Sequence, residues 1–397
     1  MPQDIIPLCV PEIRGNEWRY VKECLDTNFV SSVGPFVDRF ERELASKVGI
    51  RYAVATVNGT AALHIALLVA GIERDDEVLV PTLTFIAPVN AIRYVGAWPV
   101  FIDAEPSYWQ MDAQSVVDFL DKECRWVRNE LRNNTTGRRV KAILPVHILG
   151  HPVDLDPILA VAKKFHLAVI EDATESLGAK YKGSMVGTLG HVACFSFNGN
   201  KIITTGGGGM LVTNNEEWAR KAKHLVTQAK NDPIEFVHGE IGYNYRLTNI
   251  QAAMGCAQLE RLSSHVSRKR EIASLYAEKL AGVPGLTLMQ EAPWAFSTFW
   301  LYTILVNPTR YGRDSRTLLK ELNLAKIQTR PLWQPMHRSP AHAACQAYHC
   351  HMAERLNARA LSLPSSVGLT EIQQRWVIDQ VYASHGGTST ERTTCPT

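Results

Sequence analysis

The chain has 397 residues, of which 46% are hydrophobic and 20% charged, with a formal net charge of +3. This length predicts two to three domains with a substantial core. The small charge and the lack of a long basic run argue against nucleic acid or a membrane as main partner. No signal peptide or membrane-spanning stretch is recognisable. The eight scattered cysteines are typical of reduced thiols in a cytoplasmic enzyme.

Short apolar strands alternate with helices over the first part of the chain. Helices are predicted at 17–28, 35–48, 60–70, 87–95 and 155–165, and strands at 52–56, 77–80, 99–102, 141–145, 168–171, 192–197 and 209–213. This alternation predicts an α/β fold with a large, mixed, mostly parallel seven-stranded sheet and helices on both faces. The charged stretch 121–139 is interpreted as a surface excursion between a helix and a strand.

The pattern changes at about residue 260. A long helix at 262–280 leads to a strand at 300–306 and to helices at 315–322 and 370–382. The predicted division is therefore a large domain at 1–260, a smaller C-terminal α/β domain at 261–385, and a disordered Thr/Ser-rich tail at 386–397. A His- and Cys-rich stretch at 342–351 has no Cys-x-x-Cys element, so a polar helix and loop is favoured there over a metal site.

Lys201 is the most informative single residue. It follows the apolar run 192–197 and precedes four glycines, Gly206 to Gly209. A desolvated lysine is a nucleophilic amine that suits Schiff-base chemistry, above all with pyridoxal phosphate (PLP). From this stretch alone, an ordinary loop lysine beside a glycine-rich turn is an equally good interpretation.

Other motifs fit the same cofactor. The Asn58-Gly59-Thr60-Ala61 run lies between a strand and a helix, where backbone N–H groups attract a phosphate. Asp172 ends a buried strand and could pair with a pyridine nitrogen. The run Pro81-Thr82-Leu83-Thr84-Phe85 is interpreted as a strand end with an aromatic residue, and Phe85 could stack on the ring. Each motif alone has an ordinary structural explanation.

Together, these motifs and the run Gly242-Tyr243-Asn244-Tyr245-Arg246 resemble a fold-type I, PLP-dependent sugar-nucleotide aminotransferase of the DegT/StrS class. The resemblance implies that Lys201 binds the cofactor as a Schiff base and then acts as general base and acid. Asp172 is implied to pair with the pyridine nitrogen and Phe85 to stack on the ring. The implied phosphate ligands are Gly59, Thr60, Ala61 and Ser196.

The resemblance also implies a homodimer with shared active sites, because Asn244 would reach the phosphate of the neighbouring subunit. The implied candidates for the sugar-nucleotide diphosphate, the glutamate carboxylate or the sugar are Lys230, Arg246, Arg330 and His337. The resemblance implies that Glu175 lies near the cofactor's 3-hydroxyl, where many members have Gln or His. A carboxylate at this place must share a proton or turn away.

The form Glu171-Asp172-Ala173-Thr174-Glu175-Ser176 resembles the legionaminic acid and bacillosamine branch of this class. The expected reaction therefore moves an amino group from L-glutamate to C4 of a UDP- or GDP-linked 4-keto-6-deoxy sugar, with a 2-acetamido-2,6-dideoxy-4-ulose favoured. Alternatives are an enzyme of the GDP-perosamine synthase type, a 3-amino-sugar aminotransferase and a non-catalytic regulatory protein. A dehydratase of the same fold is disfavoured because it would carry histidine in place of Lys201.

Overall fold

The computed structural model of the protein describes residues 4–232 and 234–386. Its α-helices there are α1 (Glu17–Asp26), α2 (Pro35–Val48), α3 (Gly59–Val69), α4 (Ile86–Tyr94), α5 (Ala113–Lys122), α6 (Leu155–Phe165), α7 (Glu216–Val226), α8 (Asn249–Leu280), α9 (Pro308–Tyr311), α10 (Ser315–Leu324), α11 (His351–Arg359) and α12 (Glu371–Ala383). The predicted tail, apart from Gly386, lies outside the described residues. No helix of the described part is long and apolar enough to span a membrane.

The strands of the same ranges are β1 (Tyr52–Thr56), β2 (Glu77–Pro81), β3 (Trp98–Ile102), β4 (Cys124–Val127), β5 (Glu130–Asn133), β6 (Val140–Ile143), β7 (Ala168–Asp172), β8 (Lys180–Tyr181), β9 (Ser184–Met185), β10 (Val192–Ser196), β11 (Gly209–Thr213), β12 (Lys230–Asp232), β13 (Val237–His238), β14 (Leu286–Leu288), β15 (Ala295–Phe296), β16 (Tyr302–Val306), β17 (Ala347–Tyr348) and β18 (Ala360–Leu363). The predicted seven strands of the main sheet are all present.

The main sheet has the strand order β1-β11-β10-β7-β6-β2-β3-β17. β11 is antiparallel to both neighbours, and the other neighbouring pairs are parallel. The predicted α/β fold with a mixed, mostly parallel sheet is confirmed. One correction is that β17 adds an eighth strand at the edge. It lies in the segment predicted as a polar helix and loop, where Ala347 and Tyr348 pair with Phe101 and Ile102.

The direction of the strands places a set of loops together. β2, β6, β7 and β10 are mutually parallel, and β1 runs the same way because β11 is antiparallel to both β1 and β10. The carboxyl ends of these five strands therefore meet at one edge of the sheet. In open α/β sheets this is the edge where ligands bind.

The charged stretch 121–139 contains the hairpin β4–β5, which lies at the end of the sheet opposite the carboxyl ends of the strands. Asn133 donates its side-chain amide to Glu77 Oε2 at 2.7 Å and to Gln346 Oε1 at 2.6 Å. Thr136 donates to Glu77 Oε1 at 2.7 Å. Glu77 begins β2, so these bonds hold the excursion at the amino ends of the strands, away from the carboxyl edge.

A second, three-stranded antiparallel sheet has the order β14-β16-β18. It is reached through α8, which begins 13 residues earlier than predicted. A capping box explains this start: the Thr248 side chain accepts the Gln251 N–H, and the Gln251 side chain accepts the Thr248 N–H. The domain division at 260/261 stays a prediction, and its boundary falls inside this continuous helix.

Candidate active site

A cavity of about 370 Å³ opens at the carboxyl edge of the main sheet. Its wall includes residues from the loops that follow β1, β2, β6, β7 and β10. Seven residues singled out from the sequence line it: Gly59, Thr60, Phe85, Asp172, Glu175, Ser196 and Lys201.

Lys201 lies in the loop between β10 and β11. Its backbone N–H donates to Asn198 O at 3.0 Å, which fixes the turn that carries the side chain. The side chain is 14% exposed, and its Nζ lies 3.5 Å from Glu175 Oε1. The ring centroid of Trp300 lies 4.2 Å from the same Nζ. The amine is thus enclosed between a carboxylate and an aromatic face.

Two buried carboxyl groups share the cavity with this amine. Asp172 Oδ1 accepts the Thr174 N–H at 3.0 Å, and Glu175 Oε2 accepts the Leu149 N–H at 2.9 Å. Burial raises the pKa of both carboxyl groups, and the positive charge of Lys201 opposes this shift. Glu175 does not turn away from the cavity. An ionised carboxylate at either place needs a cation beside it, because water cannot solvate it there.

The start of α3 forms the end of the cavity that suits an anion. The Asn58 side chain caps the helix by accepting the Ala61 N–H at 2.8 Å. A Cβ added to Gly59 would lie 2.9 Å from Ser196 Cβ, so the Ser196 side chain lies directly beside the first turn. Backbone N–H groups and hydroxyls at a helix start are a common phosphate site. Ala61 itself does not line the cavity, and its N–H is already used by the cap.

The glycine tract lets this helix start approach the sheet. A Cβ at Gly209 would lie 2.4 Å from the carbonyl carbon and oxygen of Asn58. Only a residue without a side chain fits there. Gly209, the last glycine of the tract, therefore has a packing role beside the candidate phosphate site.

Phe85 is placed differently from its prediction. β2 ends at Pro81, and Phe85 precedes the first turn of α4 rather than ending a strand. Its side chain is 54% exposed and borders the cavity. Exposure of this size leaves surface of this residue available to a ligand at the cavity.

Besides Ala61, five other predicted site residues do not line the cavity of this chain: Lys230, Asn244, Arg246, Arg330 and His337. Asn244 is exposed between Tyr243 and Tyr245, whose rings stack with centroids 5.1 Å apart. Lys230 Nζ lies 4.5 Å from the ring centroid of Phe236.

Arg330 and His337 have partners within the chain. Arg330 is exposed and donates to the carbonyl of Thr329 at 2.9 Å. His337 uses both ring nitrogens, Nδ1 with Thr82 Oγ1 at 2.7 Å and Nε2 with Glu354 Oε1 at 3.1 Å. A substrate contact by a ring nitrogen of His337 would therefore require the loss of one of these bonds.

Sequence reasoning missed several residues of the cavity wall. Trp300 and Trp333 contribute aromatic surface, and Thr174, Asn198 and Asn200 contribute polar groups. Thr174 lies between two predicted site residues and could have been found by its position. The two tryptophans are about 100 and 130 residues from Lys201 in the sequence, which carries no signal for their proximity.

Comparison with known proteins shows which family the chain belongs to. Residues 11–382 match the model of the DegT/DnrJ/EryC1/StrS aminotransferase family. The chain belongs to this family. The GDP-perosamine synthase of Escherichia coli O157:H7 is 41% identical over 377 residues, which are 95% of this chain and 97% of that relative. The GDP-perosamine synthase of Caulobacter vibrioides is 40% identical over 384 residues, 96% of this chain and 97% of that relative.

A solved structure agrees with this assignment. DesV of S. venezuelae, crystallised in complex with a ketimine intermediate, has a TM-score of 0.83 and 30% identity, with 94% of each chain covered. This DegT/DnrJ/EryC1/StrS member is accordingly a PLP-dependent sugar-nucleotide aminotransferase of the fold-type I class.

The cavity of this family member fits PLP on its own geometry. It has a helix start for a phosphate, a lysine amine for an aldehyde, and the buried Asp172 for a cationic ring nitrogen. The burial of Asp172 supports the fit most directly, because an ionised carboxylate at 2% exposure needs a positive partner.

Gly59→Ala is expected to weaken PLP binding. The new Cβ would lie 2.9 Å from Ser196 Cβ and 3.2 Å from Thr174 Cγ2, so the start of α3 must shift. Overpacking costs about 1–3 kcal/mol, which predicts a Kd for PLP raised roughly 10- to 100-fold. Titration of the cofactor-free chain with PLP, followed by absorbance, measures this change.

Gly199→Ala is the matched control for this prediction. It lies in the loop before Lys201, and a Cβ there meets no atom within 4 Å. Its Kd for PLP should equal that of the wild type. An unchanged Kd in Gly59→Ala would show that the start of α3 does not bind the phosphate.

Proposed function

We propose that the chain transfers the amino group of L-glutamate to C4 of a GDP-linked 4-keto-6-deoxy sugar, which gives a 4-amino sugar of the perosamine type for surface glycans. The observation that carries this proposal is the enclosed amine of Lys201 in one cavity with the buried Asp172 and the start of α3. The names of the two relatives described above support the GDP sugar. The 2-acetamido sugar expected from the sequence becomes the competing substrate.

The proposed roles follow from where the side chains lie. When bound, PLP supplies an electron sink for the carbanion formed at the reacting carbon. Lys201 binds the cofactor and, once released, takes the proton from Cα of glutamate at its Nζ. In the second half of the reaction the same Nζ delivers a proton to C4 of the sugar. The negative charge of the Asp172 carboxylate keeps the ring nitrogen protonated.

Glu175 is proposed to share a proton with the cofactor's 3-hydroxyl. One of its oxygens is held by the Leu149 N–H, while the other faces the Lys201 amine. Burial raises the pKa of Glu175 and favours its protonated form when no ammonium lies beside it. A protonated carboxyl can donate a hydrogen bond to a phenolate oxygen instead of repelling it.

A homodimer with shared active sites is proposed for the residues that do not line the cavity. Asn244 is exposed, and Arg246 has no hydrogen-bond or ion-pair partner within residues 4–232 and 234–386. The neighbouring segment also exposes large apolar side chains: Ile234 is 80% exposed, Phe236 64% and Ile241 82%. A second subunit on this apolar surface would cover it. Lys230, Asn244 and Arg246 would then contact the neighbour's substrate or phosphate, while Arg330 and His337 are proposed sugar contacts.

Side-by-side turnover of two keto-sugars tests the proposal. We expect the GDP-linked 4-keto-6-deoxymannose, with L-glutamate, to give 2-oxoglutarate and a 4-amino sugar detectable by mass. Its kcat/KM should exceed that of the UDP-linked 2-acetamido-2,6-dideoxy-4-ulose on the order of 100-fold, because a buried polar site discriminates strongly.

Each result has a distinct meaning. Faster turnover of the UDP sugar would overturn the proposed acceptor but leave the aminotransferase assignment intact. If the chain binds PLP but releases no 2-oxoglutarate with either sugar, the regulatory alternative would be favoured.

A further inference from the structure

Lys269 is a buried lysine on α8 that the proposed reaction does not use. Its side chain is 2% exposed, and within residues 4–232 and 234–386 no carboxylate pairs with it. Its Nζ contacts the carbonyl oxygen of Trp300 at 2.7 Å, that of Ser365 at 2.5 Å, and Cys9 Sγ at 3.5 Å. The three N–H donors of an ammonium thus meet three acceptors.

The acceptors come from parts of the chain that are far apart in sequence. Cys9 belongs to the N-terminal segment, Trp300 precedes β16, and Ser365 follows β18. The Ser365 N–H also donates to Leu8 O at 2.7 Å, which strengthens the same junction. One buried side chain therefore joins α8 to three segments.

Trp300 connects this junction to the active site. Its indole Nε1–H donates to Asn200 O at 2.7 Å, and Asn200 directly precedes Lys201. Cys9 Sγ donates to the same carbonyl at 3.3 Å. The Trp300 ring then covers the Lys201 amine at 4.2 Å. Lys269 therefore holds the backbone of Trp300. The side chain of Trp300 in turn holds the loop before Lys201 and covers the Lys201 amine.

We propose that Lys269 is a positioning residue for the amine of Lys201 and acts through Trp300. This inference rests on the proposed role of Lys201 as the reactive lysine. A buried ammonium is costly unless all its donors are used, and the carbonyls of Trp300 and Ser365 lose a charged partner if it is removed. Burial also lowers the pKa of Lys269, in keeping with an amine enclosed away from water. Loss of Lys269 would free the Trp300 backbone and let the ring leave the amine.

Labelling of Lys201 by cyanate in the full-length, cofactor-free chain tests this inference, because only an accessible, neutral amine reacts. The rate at Lys201 is measured by mass spectrometry of its peptide at fixed pH. In Trp300→Leu the rate should rise about two- to fivefold, the size of a cation–π contact at a partly exposed site. Lys269→Met should raise it by a similar factor.

A double mutant separates positioning from general loosening. If Lys269 acts through Trp300, adding Lys269→Met to Trp300→Leu should not raise the rate further. Lys279→Met is the matched control on the same helix, since the Lys279 side chain is 37% exposed and pairs with Glu278. In this control, Lys201 should be labelled at the wild-type rate. Circular dichroism should show the same fold in all variants.

Two results would overturn the inference: an unchanged rate in Lys269→Met, or factors that multiply in the double mutant. If Lys269→Met does not fold, Lys269→Gln takes its place, since its amide keeps two N–H donors without the charge, and the same outcomes decide. The assay needs neither PLP nor a sugar, so its failure would leave the proposed function untouched.

Discussion

Lys201→Ala is expected to abolish amino transfer while the chain still folds. The variant loses both the amine that binds PLP and the group that moves the proton, and general acid–base catalysis alone supplies about 10²–10⁴-fold. Loss of both functions predicts a fall in kcat on the order of 10⁴-fold or more. Release of 2-oxoglutarate from glutamate, with the keto-sugar as acceptor, measures it.

Two further readouts make this result specific. Reduction of the PLP-loaded wild type with borohydride should fix the cofactor on the peptide that contains Lys201, and the variant should carry no such label. Lys182→Ala is the control, because Lys182 is an exposed lysine paired with Asp156; it should retain full activity and labelling. Turnover by Lys201→Ala at the wild-type rate would refute the mechanism.

Asp172→Asn is expected to slow turnover and at the same time stabilise the cofactor-free chain. Asparagine can still accept the Thr174 N–H, but it has no charge with which to keep a ring nitrogen protonated. Loss of one preorganised electrostatic group lowers kcat on the order of 10²–10³-fold. Activity assays with saturating PLP measure this part.

The stability part follows from the direction of the pKa shift. Burial raises the pKa of Asp172. A carboxyl whose pKa is higher in the folded chain stabilises fully below its unfolded pKa, and that contribution is lost as the pH rises through its folded pKa. At neutral pH the buried, ionised carboxylate then lowers the stability of the folded chain. Asparagine removes this destabilising charge. Tm of the cofactor-free variant should exceed that of the wild type at pH 7, and the gap should close in acid.

Asp156, the exposed partner of Lys182, supplies a control for this prediction. Asp156→Asn should leave kcat unchanged and should not raise Tm at pH 7, because the hydrogen bond with Lys182 lowers the pKa of Asp156. A Tm of Asp172→Asn below the wild type at neutral pH would mean that Lys201 compensates fully for the burial of Asp172.

Much of the main sheet was predictable because its strands are short apolar runs bounded by turn residues. β1 and β11, and the helices α2 and α6, have the predicted bounds. The helix before the charged stretch, α5, was expected without bounds, and α7 was missed, although Asp112 and Asn215 cap these helices through their side chains. The hairpin β4–β5 was missed since its strands have only four residues each, contain charged side chains and pair outside the main sheet.

The candidate site was predictable where its residues follow strand ends. Asp172 and Ser196 end β7 and β10, so strand direction alone brings them to one edge. Trp300 and Lys269 could not be found this way, because their positions depend on how α8 and the second sheet pack against the first. Residues proposed to serve a neighbouring subunit, such as Asn244, depend on assembly and not on the fold of one chain.

The continuity of α8 limits how the enzyme can admit its substrate. Its 32 residues form a rod about 48 Å long at the usual rise of an α-helix. A hinge at residue 260 would have to break backbone hydrogen bonds in the middle of this rod, next to the buried Leu259 and Leu262. Access by loops at the mouth of the cavity requires no such break. The enzyme should therefore give nearly the same small-angle scattering curve with and without a sugar nucleotide.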